Sequence, residues 1–149
     1  MSAPADSMPS HRQIENLIAR YAELVDDGDF VGLGALLADA TFVGSGAPVS
    51  GGEAIEAMFR GLLIVYADGT PRTQHVTGNV AVEVDENAGT AAARSYVTVF
   101  QSLPDFPLQA IAAGRYRDGF ARGEDGRWRF VERQARITMF GDVSRHLRQ

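Results

Sequence analysis

Apolar residues recur at helical spacing early in the chain and at strand spacing later. Ile14, Leu17, Ile18, Tyr21, Leu24 and Val25 fall on one face at about 100° per residue, which predicts a helix. Ser10 opens it with Gln13 in capping-box spacing, and Gly28 closes it. Asp29 can cap a second, shorter helix carrying Phe30, Leu33, Leu36 and Leu37. Ser50 and Glu53 form another capping pair. Ile55, Met58, Phe59, Leu62 and Leu63 then predict a third amphipathic helix reaching about Ala67.

The period then changes. Residues 73–84, 91–103, 108–122 and 127–140 read as four long strands separated by turn-rich segments, Asp85 to Gly89, Pro104 to Pro107 and Gly123 to Gly126. Connections of hairpin length imply antiparallel pairing. A short strand pair near Thr41–Val43 and Ala47–Val49 falls between the second and third helices. Helices first and strands afterwards is an α+β layout. Three N-terminal helices packed on one face of a strongly curved antiparallel sheet make a cone-shaped α+β barrel. Its apolar cavity would be lined by Met58, Phe59, Leu62, Phe106 and Met139, with an open mouth suited to a small molecule.

At 149 residues the chain fits one domain, here residues 10–149 behind a floppy tail of residues 1–9. There is no cysteine, which removes thiol nucleophiles, disulfides and thiolate metal sites. All 14 basic residues are arginine, so no lysine is present to form a Schiff base. A net charge of −5 argues against a general nucleic-acid partner, and the longest apolar run, Leu62 to Ala67, is too short for a bilayer. The first ten residues have neither the basic start nor the apolar stretch of a signal peptide, which makes the cytoplasm the expected location.

Candidate chemistry sits at a few positions. Asp27 falls on the polar side of the first helix with Glu23 and Arg20. Asp26 lies beside Ala22 and Ala19 at the margin of the apolar stripe, either as a helix-end carboxylate near water or as a carboxylate aimed into the cavity. His75 opens the first long strand. Strict alternation with Val76, Val80, Val82 and Val84 turns it away from the interior, whereas a bulge at Gly78 would reset the parity. Arg133 shares the parity of Val131, Ala135, Ile137 and Met139, so a charge stands on an apolar face. It needs Asp26, another carboxylate or a ligand group as partner, or else it snorkels to the cavity rim. His11 and His146 lie near the chain ends without metal-ligand spacing, and no metal site is expected.

The segment Ile14 to Phe30, the run Thr73-Gln74-His75-Val76-Thr77-Gly78-Asn79, the stretch Gly114-Arg115-Tyr116 through Phe130 and the closing Gly141 to Leu147 together resemble SnoaL-like proteins of the nuclear-transport-factor-two-like superfamily. The resemblance covers nearly the whole chain from Ile14 and implies the same cone. It also implies chemistry, because scytalone dehydratase, bile-acid 7α-dehydratase and lindane dehydrochlorinase use an aspartate at the end of the first helix and a histidine on the first long strand. Asp26 and His75 match those positions. Tyr21 matches a tyrosine preceding the aspartate in the bile-acid enzyme, and Arg133 an arginine of the dehydrochlorinase. The second histidine of scytalone dehydratase has no counterpart on the next strand, which offers Arg94, Tyr96 and Thr98, and the dehydrochlorinase lysine is missing. The substrate of either enzyme is therefore not carried over.

These observations lead to an expected cofactor-free lyase or isomerase acting on a hydrophobic, cyclic small molecule. Asp26 would orient His75 as general base, and Tyr21 would donate to a substrate oxygen. Arg133 and the apolar lining would bind the substrate. The alternative is a non-catalytic binding or assembly module, since this fold hosts both. By resemblance, a homodimer or homotrimer forms through the open face of the sheet.

Overall fold

The computed structural model describes residues 8–148, so most of the expected tail lies outside the described residues. The elements run α1 (Ser10–Asp26), α2 (Phe30–Leu36), β1 (Thr41–Val43), β2 (Val49–Ser50), α3 (Gly52–Leu62), β3 (Thr73–Asp85), β4 (Thr90–Leu103), β5 (Phe106–Arg122) and β6 (Trp128–Phe140). The six strands form one sheet in the order β2-β1-β6-β5-β4-β3. The long strands pair antiparallel as their short connections require, but β1 runs parallel to β6. The sheet is mixed rather than wholly antiparallel, with β1 placed between β2 and β6.

The apolar stripe of α1 packs onto the inner faces of the strands. Ile14, Ile18, Tyr21, Leu24 and Val25 are buried with Val97, Val99, Ile111, Tyr116, Phe120 and Phe130. Burial of this kind contributes roughly 1.5–3 kcal/mol per large side chain and sets the helix orientation. Among the described residues, no helix is long and apolar enough to cross a membrane.

Two predicted helix starts differ in detail. Pro9, not Ser10, is the N-cap of α1, and the Gln13 amide donates to the Met8 carbonyl. Gly51, at φ 90°, occupies the N-cap of α3, and Ser50 instead hydrogen-bonds Thr41 across the β1–β2 pair. Residue spacing alone did not separate a cap from a strand residue next to it. The Asp29 cap forms as read, accepting from the Gly32 N–H at 2.8 Å. The third helix ends at Leu62, because Leu63 turns extended and bridges to Leu147.

Bulges decide which side chains face inward. Between Gly78 and Ala81, two residues of β3, Asn79 and Val80, stand against one of β4. Asn79 takes φ 50° there. Thr73, His75 and Thr77 face inward before the bulge, and Val82 and Val84 after it, so Val76 and Val80 are exposed. A second bulge at Val131 and a third at Thr138 do the same on β6.

Candidate functional site

Asp26 is the last residue of α1. Gly28 turns the chain immediately afterwards at φ 70°, where a Cβ would overlap the Gly69 carbonyl oxygen. This close approach holds the helix end against the loop leading into β3. The Asp26 carboxylate consequently meets the start of that strand. Its Oδ1 accepts from the Thr73 hydroxyl at 2.8 Å and lies 2.6 Å from His75 Nδ1, and its Oδ2 accepts from the His75 backbone N–H at 2.7 Å. The carboxylate thus grips both the ring and the main chain of one residue.

Because β3 is an edge strand, its N–H at His75 has no strand partner on that side, and Asp26 satisfies it. A carboxylate at Nδ1 places the imidazole proton on that nitrogen and leaves Nε2 with a free lone pair. Only 9% of the His75 side chain and 16% of Asp26 is exposed. An open groove of about 580 Å³ between α1 and β3 reaches the pair and is lined by Ala22, Asp26, Asp27, Thr73, His75 and Thr77 among others.

The expected lining is arranged differently. Met58, Phe59, Leu62, Phe106 and Met139 do not line that groove. Phe59 and Phe106 are buried in the core and Met58 packs against it, whereas Leu62, at the end of α3, is 42% exposed. Met139 is 64% exposed. The bulge at Thr138 sets Met139 opposite Ala113 on the outer face, one residue off the alternation that would have turned it inward.

Tyr21 and Arg133 meet each other rather than the dyad. Arg133 is fully buried; its Nε donates to Asp118 Oδ1 at 3.0 Å and its Nη2 to Oδ2 at 3.4 Å. Its guanidinium lies 3.4 Å from the Tyr116 ring centroid and 4.1 Å from that of Tyr21. The partner of Arg133 is therefore Asp118, its cross-strand neighbour on β5, and not Asp26 or the cavity rim. Burial pushes the Asp118 carboxyl up to about 6 against the lowering pull of Arg133. Burial likewise raises the Tyr21 phenol well above its ordinary value, so it stays protonated. Asp118 shares the parity of the buried Gly114, Tyr116 and Phe120, so it too places a charge on an apolar face, a signal that the sequence carries.

His146 is the residue that spacing missed. It follows the last strand in a turn without periodicity, yet it is 8% exposed, and among the described residues its Nδ1 has no hydrogen-bond partner. The charges of His75 and Asp26 both reach it, and burial lowers its imidazole to about 4, so it is neutral at pH 7.

No curated protein matches the chain. An NTF2-like protein with a cystatin-like fold from Novosphingobium aromaticivorans is 28% identical, covering 91% of this chain and 86% of its own, with a TM-score of 0.70. A candidate scytalone dehydratase from the same species is 22% identical over 92% of this chain and 89% of its own, at a TM-score of 0.71. ActVI-ORFA from Streptomyces coelicolor is 17% identical over 87% and 98%, also at 0.71. At those last two identities the likeness speaks for the fold alone. Residues 6–134 match the SnoaL-like domain, and on that match across most of its length the chain belongs to the SnoaL-like family, with the NTF2-like cone as its fold.

Proposed function

We propose that this protein is a cofactor-free lyase or isomerase, dehydratase-like in its chemistry, acting on a hydrophobic cyclic small molecule. The observation that carries the reading is the 2.6 Å approach of Asp26 Oδ1 to His75 Nδ1 while Oδ2 holds the His75 main chain. That clamp fixes ring orientation and tautomer together, and it stabilises the imidazolium that forms when Nε2 takes a proton. A proton on carbon next to a carbonyl is the natural target. His75 can then return it to a departing oxygen, or to another carbon in an isomerisation, so one group serves both steps. Tyr21, expected as a donor to substrate, is instead buried against Arg133 and Tyr116 outside the groove, so it supports the site from the core rather than touching the ligand. Arg133 is committed to Asp118 and acts as a strut beneath the site.

The test is turnover of a panel of cyclic hydroxy ketones by the wild type and by His75→Gln, followed by enone absorbance. Activity that disappears in the variant, with an unchanged melting temperature, supports the reading. Undiminished activity in the variant would sink it. The alternative, a non-catalytic binding or assembly module, is favoured by the apolar side chains left open on the outer sheet face, among them Val76, Tyr96 and Val131. It predicts ligand or self-association that His75→Gln leaves intact and no turnover by the wild type.

A further inference from the structure

Four arginines crowd the outer face of the sheet on three neighbouring strands. Arg94 on β4 stands directly across from Arg117 on β5, and Arg115 on β5 directly across from Arg136 on β6. All four are exposed, and along their strands they alternate with the buried Ser95, Tyr116 and Asp118. Neighbouring strands lie about 4.8 Å apart, and same-face residues about 7 Å apart along a strand, so the four stems rise from a small area. Like charges directly opposite each other destabilise an antiparallel pair, and here two such pairs stand side by side. The concentration is local, because the chain as a whole is acidic, at a net charge of −5.

The fold does not answer these charges. Among the described residues, Arg115, Arg117 and Arg136 form no ion pair. Arg94 meets Glu83 at 3.5 Å, but both side chains are mostly exposed, so that pair neutralises little. Glu132, further along the same face of β6, accepts from the Gln134 amide instead. The Arg115 guanidinium lies 4.7 Å from the Tyr96 ring centroid, which holds it in place without cancelling its charge. Two shallow depressions of about 290 and 410 Å³ adjoin the cluster. Arg115 and Arg117 line both, with Arg94 and Tyr96 in the first and Arg136 and Gln134 in the second. A second copy meeting this face about a two-fold axis through the cluster would set the same arginines against one another.

We propose that this face binds the diphosphate group of a small-molecule ligand, the Arg94–Arg117 pair taking one phosphate and the Arg115–Arg136 pair the other. One guanidinium fork satisfies a carboxylate, as Arg133 does for Asp118 in the core. Two opposed forks supply about twice as many donors, which suits the several anionic oxygens of a phosphate. An anion seated between facing guanidinium groups turns their mutual repulsion into attraction to a shared partner. The free energy that the free protein holds in that repulsion is thereby recovered on binding. His75 faces the interior, on the other side of the sheet, so this site stands apart from the acid–base reading.

The experiment titrates the full chain with pyrophosphate and, separately, with inorganic phosphate at matched ionic strength. Binding is read by calorimetry and from the arginine Nε–H signals in NMR. Pyrophosphate is expected to bind about tenfold more tightly than phosphate, to move the Arg115 and Arg117 signals, and to weaken as salt is added. Arg117→Gln should lose about tenfold in pyrophosphate affinity, and Arg117→Lys, which keeps the charge without the fork, should lose less. Arg20→Gln, on the polar side of α1, should change nothing. The melting temperature of ligand-free Arg117→Gln should hold or rise, because a repulsion has been removed; a fall of several degrees would mean that this arginine serves the fold and would overturn the site. No pyrophosphate binding, or equal affinity in Arg117→Gln and Arg20→Gln, would overturn it too. Binding of poly-glutamate or of an oligonucleotide while pyrophosphate stays silent would replace the small ligand with a macromolecular partner.

Discussion

Among the described residues, two carboxylates are largely buried against a basic side chain, Asp118 with Arg133 and Asp26 with His75, and the two pairs are built for opposite purposes. Asp118 and Arg133 face each other across β5 and β6, both fully buried and stacked against Tyr116 and Tyr21. Rigid antiparallel register fixes both partners, and the guanidinium delivers two of its donors to one carboxylate. Asp26 and His75 come from a helix end and an edge strand, and a groove reaches them. There the carboxylate is saturated while the imidazole keeps Nε2 uncommitted. A cation that a carboxylate holds through two donors is a strut. A base that a carboxylate holds through one nitrogen is a tool.

The comparison breaks most clearly where function and stability part. His75→Gln is expected to lower turnover by about 10²–10⁴-fold, equivalent to roughly 3–5 kcal/mol in the barrier, with little change in melting temperature. Removing one member of the other pair should do the reverse. Asp118→Ala leaves the Arg133 charge buried and unpaired, for an expected loss of about 3–5 kcal/mol in urea unfolding. Replacing both together, Asp118→Leu with Arg133→Met, should recover most of that loss, because well-packed apolar groups need no partner. A double variant as unstable as the single one would show that the strut does more than satisfy its own charges.

Acid titration sharpens the contrast through His146 and Asp118. His146 is held near 4 in the fold against 6.5 for a free imidazole, so unfolding takes up a proton between those values. Its contribution is fully present above pH 6.5 and is lost as pH falls through 4. Asp118 shifts the other way, from 3.8 to about 6, so its contribution is greatest below pH 3.8 and is lost as pH rises through 6. Between pH 4 and 6 the two contributions oppose each other in direction. Replacing His146 with Leu should therefore flatten the acid-side loss of stability relative to the wild type, since the exposed carboxylates titrate alike in both. His75 lowers the His146 midpoint and Asp26 raises it, so His75→Gln should move that midpoint up. An identical pH dependence in wild type and His146→Leu would mean that the imidazole is not buried neutral.

The long strands and the first two helices were legible because apolar spacing is a local signal that survives into the fold. Asp26 and His75 were legible as candidates through family likeness, and parity argued against His75 because alternation is broken by a bulge that composition does not announce. The same blindness turned Met139 inward on paper, since Thr138 supplies the extra residue only once β5 is alongside. Asp118 and Arg133 each disturb an apolar face, and their pairing follows from register, which sequence spacing does not contain. His146 lay furthest from view: its position depends on hydrogen bonds from Ile64, Tyr66 and Gln101 to the main chain at or beside it.

The smallest expected effect concerns the bulge itself. Asn79 holds φ 50°, a left-handed conformation that asparagine tolerates and a β-branched residue resists. Asn79→Gly should leave stability within a few tenths of a kcal/mol, since relief of backbone strain is offset by a more flexible unfolded chain. Asn79→Val should cost about 1–2 kcal/mol if the bulge is kept. The informative readout is the contact between Asp26 and His75, followed through the downfield Nδ1 proton in NMR. A valine that is destabilising yet keeps that proton shows the bulge holding against strain, with the inward set Thr73, His75 and Thr77 intact. A valine that costs nothing and loses the proton shows β3 slipping into strict alternation, which turns His75 to solvent and releases Asp26 from it.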